Sequence, residues 1–128
     1  MPATRMETRR GWIGNRRLEV IEAVQRALLT GLQIPDHDRC ISLVEYEADA
    51  MITPPSKGPS YSVIEIKLFS GRSLDAKRKL YAALAEELSA FGVPASDIKI
   101  VLVEIDPVNW GLGGLPASEI DLGFKIDV

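Results

Sequence analysis

The sequence predicts an α/β (α+β) fold in which a β-α-β unit occurs twice and builds one four-stranded sheet with both helices on one face. Three observations carry this. Two segments space their apolar residues three and four apart, as helices do. Short segments rich in β-branched residues flank each of them. Finally, residues 34–45, IPDHDRCISLVE, match residues 93–104, VPASDIKIVLVE, without a gap at an offset of 59.

In chain order, ATRMETR (3–9) reads as a short strand and Gly11 to Gly14 as a turn. Asn15 is placed to cap a helix over 16–32, whose stripe is Leu18, Ile21, Val24, Leu28 and Leu32. CISLVEYE follows as a strand with Ile41, Leu43 and either Tyr46 or Glu45 bordering the core, and the prolines of TPPSKGPS (53–60) mark a loop. YSVIEIKLF (61–69) is the clearest strand, with Ile64, Ile66 and Leu68 on one face. Ser73 can cap a second helix over about 74–91, with Leu80, Leu84, Leu88 and Phe91 inward; Gly92 ends it and Pro94 prevents a restart. IKIVLVEI (98–105) is apolar almost throughout and predicts a strand buried on both faces. WGLGGLP reads as a loop. The alternation of Ile120, Leu122, Phe124, Ile126 and Val128 predicts a C-terminal strand.

The chain is therefore read as one domain over 1–128, with half-repeats at about 2–52 and 61–110 and a tail at 111–128. The offset of 59 places Pro2 against Tyr61 and so at the head of a strand. Each parallel pair needs a crossover helix. Two folds satisfy this order, a ferredoxin-like sandwich and the tandem arrangement around a pseudo-twofold axis.

Composition limits the function. With 46% hydrophobic residues, 26% charged residues and a net charge of −3, the chain has no basic excess for nucleic acid or an anionic membrane. No apolar run approaches the roughly 18 residues of a membrane span, and MPATRMETRRGW lacks the apolar core of a signal peptide. Cys40 is the single cysteine and His37 the single histidine, so no zinc-type ligand cluster is available and a reducing cytoplasm is expected. His37 reads as a surface residue. GLGG (111–114) lacks the strand, lysine and helix of a phosphate loop.

The segment VIEIKLFSGRSLDAKRKLY (63–81), a strand ending in Gly-Arg-Ser followed by a helix with Lys77 and Tyr81, resembles the tautomerase superfamily. DPVNWGLGG (106–114) and IPDHDR (34–39) resemble the tryptophan loop and the aspartate turn of its longer branch, which includes malonate semialdehyde decarboxylase. The resemblance implies the tautomerase fold, no cofactor, a homotrimer with the tail against a neighbour, and a small anionic 2-oxo or enol acid as substrate. It also implies that Met1 is removed, leaving Pro2 as a free secondary amine. Such an amine is a base when neutral and an acid when protonated, and an apolar pocket with nearby cations brings its pKa toward neutrality.

By the same resemblance Arg72 grips a carboxylate, for which a planar guanidinium is suited. Asp38 orients or activates water, and Trp110 forms a pocket wall. Ser70 stands where the decarboxylase pattern has a further arginine, which argues against malonate semialdehyde as substrate and leaves Ser70 as a candidate substrate contact. The catalytic candidates are thus Pro2, Arg72 and Asp38, and the substrate-binding candidates Arg72, Ser70 and Trp110. A plainer reading of Asp38 stays open: Asp97 occupies its repeat position, and both could simply close turns. Hydration or decarboxylation, and a trimeric binding protein with an inert site, remain alternatives to tautomerisation.

Overall fold

The computed structural model describes residues 2–128. In order it forms β1 (Ala3–Arg9), α1 (Arg17–Leu32), β2 (Ile41–Tyr46), β3 (Ser62–Phe69), α2 (Leu74–Ser89) and β4 (Ile98–Ile105). A short hairpin follows, β5 (Gly111–Leu112) with β6 (Leu115–Pro116). The large sheet has the order β2-β1-β3-β4. β1 runs parallel to β2 and β3 parallel to β4, while β1 and β3 meet antiparallel at the centre. Each crossover helix joins two strands that are direct neighbours. A ferredoxin-like fold would split each β-α-β unit with an intervening strand, so the strand order selects the tandem, tautomerase-type arrangement.

The core lies between this sheet and the two helices. β1 turns Thr4, Met6 and Thr8 inward, and β3 turns Ile64, Ile66 and Leu68 inward. Val24, Leu28 and Leu32 of α1 meet Leu80, Leu84 and Leu88 of α2 over them. Burying each such side chain contributes about 1.5–3 kcal/mol. The helices pack closely at Gly31, where an added Cβ would lie 2.5 Å from Leu80 Cβ. In each half a helix-start cation reaches a glutamate of the second strand: Arg17 to Glu45 at 2.5 Å, and Lys77 to Glu104 at 2.7 Å. Ser73 caps α2 by accepting the Ala76 N–H at 3.1 Å.

Six expectations are corrected. Leu18 is 78% exposed, because the inward row of α1 starts at Val20. Arg16, not Asn15, is the cap position of α1, and its guanidinium reaches back to the Trp12 carbonyl at 2.8 Å. β4 is an edge strand whose outer face bears the exposed Val101, since both helices cover the opposite face. The WGLGGLP loop contains the β5–β6 hairpin, with Gly113 and Gly114 at φ of 59° and 85°, the left-handed pair a two-residue turn requires.

The C-terminal strand does not form: of the described residues, 120–128 join no ladder. The tail instead crosses the turn after β3. Phe124 packs on the core, Ile126 approaches Gly71, and the Val128 carbonyl accepts the Ser73 hydroxyl at 2.5 Å.

The offset of 59 also fails in one place. It relates Ile41 to Ile100 and Leu43 to Leu102, which all pack against the core. Carried into β1 it would relate buried Thr4 to Val63, which points to the other face of the sheet. An odd shift reverses every side chain of a strand, so Pro2 is not the counterpart of Tyr61. Pro2 nonetheless stands immediately before β1, buried, in register with the inward row Thr4, Met6 and Thr8.

Among the described residues no helix is long and apolar enough to cross a membrane.

Candidate active site

The topology gathers four chain segments at one end of the sheet. The start of β1 and the approach to β2 lie beside each other because β1 and β2 are parallel. The ends of β3 and β4 arrive at the same end because β3 runs antiparallel to β1. Between them is a cleft of about 320 Å³ lined by Pro2, Ala3, His37, Asp38, Arg39, Cys40, Trp110 and Leu112. Three residues separated by up to the length of the chain, Pro2, Asp38 and Trp110, therefore share one cleft.

Asp38 is held there by a turn closed locally, its N–H donating to the Pro35 carbonyl at 3.0 Å. The strand beyond is fixed by the Thr4 N–H bonding the Cys40 carbonyl at 2.9 Å, which joins the start of β1 to this turn. Trp110 sits between a one-turn 3-10 segment (Pro107–Asn109) and β5. Its ring meets Phe69 edge-on, with centroids 4.9 Å apart, and its carbonyl accepts the Ala117 N–H at 2.7 Å. The indole is thus braced by the end of β3, and the backbone that carries it by the segment just after β6. Edge-to-face pairs of this kind add about 0.5–1.5 kcal/mol beyond burial.

Arg72 is not part of the cleft lining. It is 6% exposed, just after β3, and one guanidinium nitrogen donates to the Phe69 carbonyl at 3.4 Å. Its Nε and Nη2 have no hydrogen-bond partner among the described residues. Burial pushes the guanidinium below its ordinary value, and the nearby Asp38 carboxylate opposes that shift. Arg72 is thus a buried cation with two idle donors and a carboxylate nearby.

Ser70 is exposed, outside the cleft lining, and its N–H is bound to the Ile105 carbonyl at 3.1 Å. The structure thus joins Pro2, Asp38 and Trp110, sets Arg72 within electrostatic reach of Asp38, and leaves Ser70 apart. Sequence reasoning missed His37, Arg39, Cys40 and Leu112 as cleft-lining residues. His37 is exposed, as read, but lies on the cleft's rim. Its place beside Asp38 in IPDHDR was the available signal. Arg39 is engaged by Glu22 at 2.6 Å and Asp36 at 2.9 Å, and these carboxylates raise its pKa.

The two aspartates of the repeat differ. Asp97 is buried and accepts the Gly58 N–H at 3.1 Å. Asp38 lines the cleft.

The strand order is that of the tautomerase fold. The chain belongs to that superfamily: the model of the family described as tautomerase enzyme matches residues 18–113, a span that contains Asp38, Arg72 and Trp110 but not Pro2. A probable tautomerase of Ralstonia nicotianae is 28% identical over 57 residues, 44% of this chain and 81% of that protein. A malonate semialdehyde decarboxylase solved with 3-bromopropiolate as inhibitor is 28% identical, with a TM-score of 0.76 over 87% of this chain and 88% of the other. Fused 4-OT in its native form is 24% identical with a TM-score of 0.83 over 92% and 98%, a likeness of fold.

Proposed function

We propose that this protein is a cofactor-free tautomerase that moves a proton within a small 2-oxo or enol carboxylate. The carrying observation is the shared cleft of Pro2, Asp38 and Trp110 with the buried Arg72 charge beside Asp38. Met1 is removed, and the Pro2 nitrogen becomes a secondary amine at the cleft. The neutral amine takes the enol hydroxyl proton as the carbonyl forms. The resulting ammonium then delivers a proton to the adjacent carbon, so the net change is one proton moved from oxygen to carbon and the amine is regenerated. A positioned acid–base group of this kind contributes about 10²–10⁴-fold. Arg72 supplies positive charge and two free donors for the carboxylate, and Trp110 shapes the apolar wall that favours the neutral amine.

Turnover of an enol acid such as phenylenolpyruvate tests this. Pro2→Ala and Arg72→Ala should each lower it more than about tenfold, with unchanged far-ultraviolet circular dichroism. Equal activity in wild type and both variants contradicts the proposal.

A second reading, hydration or decarboxylation of an unsaturated or 3-oxo acid, is favoured by Asp38 in the cleft and by the likeness to a malonate semialdehyde decarboxylase. Carbon dioxide or a hydrated product that disappears in Asp38→Asn would select it. The proposal includes a homotrimer in the cytoplasm. Fused 4-OT forms trimers, and both edge strands here, β2 and β4, are free for pairing with another chain. Sedimentation at a single trimeric mass is the expected result.

A further inference from the structure

We infer that Gln25 is a positioning residue that sets the aim of Asp38, an inference that rests on reading Asp38 as part of the site. Gln25 lies within α1 and is 1% exposed. Its neighbours on the inward face are Val24, Leu28 and Leu32, all core residues. Its Nε2 donates to the carbonyls of Asp36 and Asp38, at 3.4 and 3.3 Å. Its Oε1 is buried with no hydrogen-bond partner among the described residues.

Stability alone does not explain an amide at this place. A buried acceptor left unpaired costs about 1–3 kcal/mol. Methionine has similar length, no polar atom to leave unpaired, and fits irregular cores. What only the amide supplies is one N–H₂ group that holds two carbonyls of the same turn. Those carbonyls belong to residues 36 and 38, on either side of His37, so holding both fixes the backbone that carries the Asp38 side chain. The turn's own bonds, Asp38 N–H to Pro35 and Arg39 N–H to His37, both at 3.0 Å, close it locally. They do not tie it to the rest of the fold. Arg39 ties it from the solvent side through an exposed ion pair to Glu22 in α1, which contributes little. Gln25 ties it from the core.

The test combines amide exchange with a double-mutant cycle. In Gln25→Met, exchange at Asp38 and Arg39 should quicken more than about tenfold while Ile64 and Ile66 stay within about twofold. With phenylenolpyruvate, kcat should fall about fivefold or more with KM nearly unchanged, and this fall should vanish in an Asp38→Asn background. Gln25→Glu keeps the shape but has no donor when ionised, so it should not rescue either readout, and Gln25→Leu replaces Gln25→Met should the latter not fold. Unchanged exchange at Asp38 and Arg39 overturns the inference whatever the activity. So does an equal kcat loss in both backgrounds, which marks a merely structural residue. Wild-type activity in Asp38→Asn alone overturns the reading of the site instead, and the exchange rates then decide the role of Gln25 by themselves.

Discussion

Asp38 and Asp97 occupy the same place in the repeat, yet the two ends of the sheet use them differently. At the Asp97 end, residues 47–60 fold back over the starts of β3 and β4. Arg9 donates to the Met51 carbonyl at 2.7 Å, Thr8 to the Tyr61 carbonyl at 2.8 Å, and Asp97 takes the Gly58 N–H. That end is closed. At the Asp38 end the hairpin and the C-terminal tail lie beside the strand ends but leave a cleft, which the aspartate lines together with Pro2. A carboxylate in a turn is a clasp where a neighbouring backbone donor meets it, as Gly58 meets Asp97, and a candidate for chemistry where it lines a cleft near a buried arginine, as Asp38 does. The plainer reading of the two aspartates holds for Asp97, whose carboxylate clasps Gly58, while Asp38 closes its turn through its N–H and lines the cleft as well.

The comparison can be broken by paired substitutions. Asp38→Asn should change turnover about tenfold or more, by removing charge beside Arg72. Asp97→Ala should instead cost about 1.5–3 kcal/mol in urea unfolding through the stranded Gly58 N–H while leaving turnover within about twofold. If both variants lose activity equally, the distinction between the ends fails. Gly58→Ala is a smaller probe of the closed end, since its Cβ would come within 2.9 Å of Asp97 Oδ2. Forcing that contact apart should cost about 1 kcal/mol with activity retained. The smallest expected effect concerns the paired glutamates. Glu45, with its side chain 6% exposed against Arg17, should cost more on change to Gln than Glu104, whose side chain is 38% exposed against Lys77. The Glu104→Gln change should cost under about 1 kcal/mol. Equal losses would show that burial does not separate the two halves.

Much of the fold was legible because helical spacing and β-branched runs report burial directly. Val24, Leu28 and Leu32, and Leu80, Leu84 and Leu88, all lie where the spacing puts them. The misreadings share a cause: a pattern reports which face is buried, not what covers it or which backbone it bonds. Ile120, Leu122, Phe124, Ile126 and Val128 do alternate half-buried with exposed neighbours. They achieve this by lying across the turn at Gly71–Ser73, without a ladder. β4 is apolar on both faces, yet it is an edge. The offset of 59 is real where Ile41 and Ile100 share a face, but a single strand reverses it because faces alternate. At the site, Pro2, Asp38 and Trp110 were reached through motifs. Gln25 was visible as a polar residue in the row that runs from Ile21 to Leu28, but the turn that it holds became apparent only with the backbone in place.

The proposed proton transfer requires that the Met1–Pro2 bond is cut and that the freed amine works in the cleft. The intact mass of the protein purified from its native cells, read beside its turnover of an enol acid, tests this directly. The expected result is a mass lower by one methionine and activity abolished by acylating the new terminus. Full retention of Met1 in an active protein would contradict it.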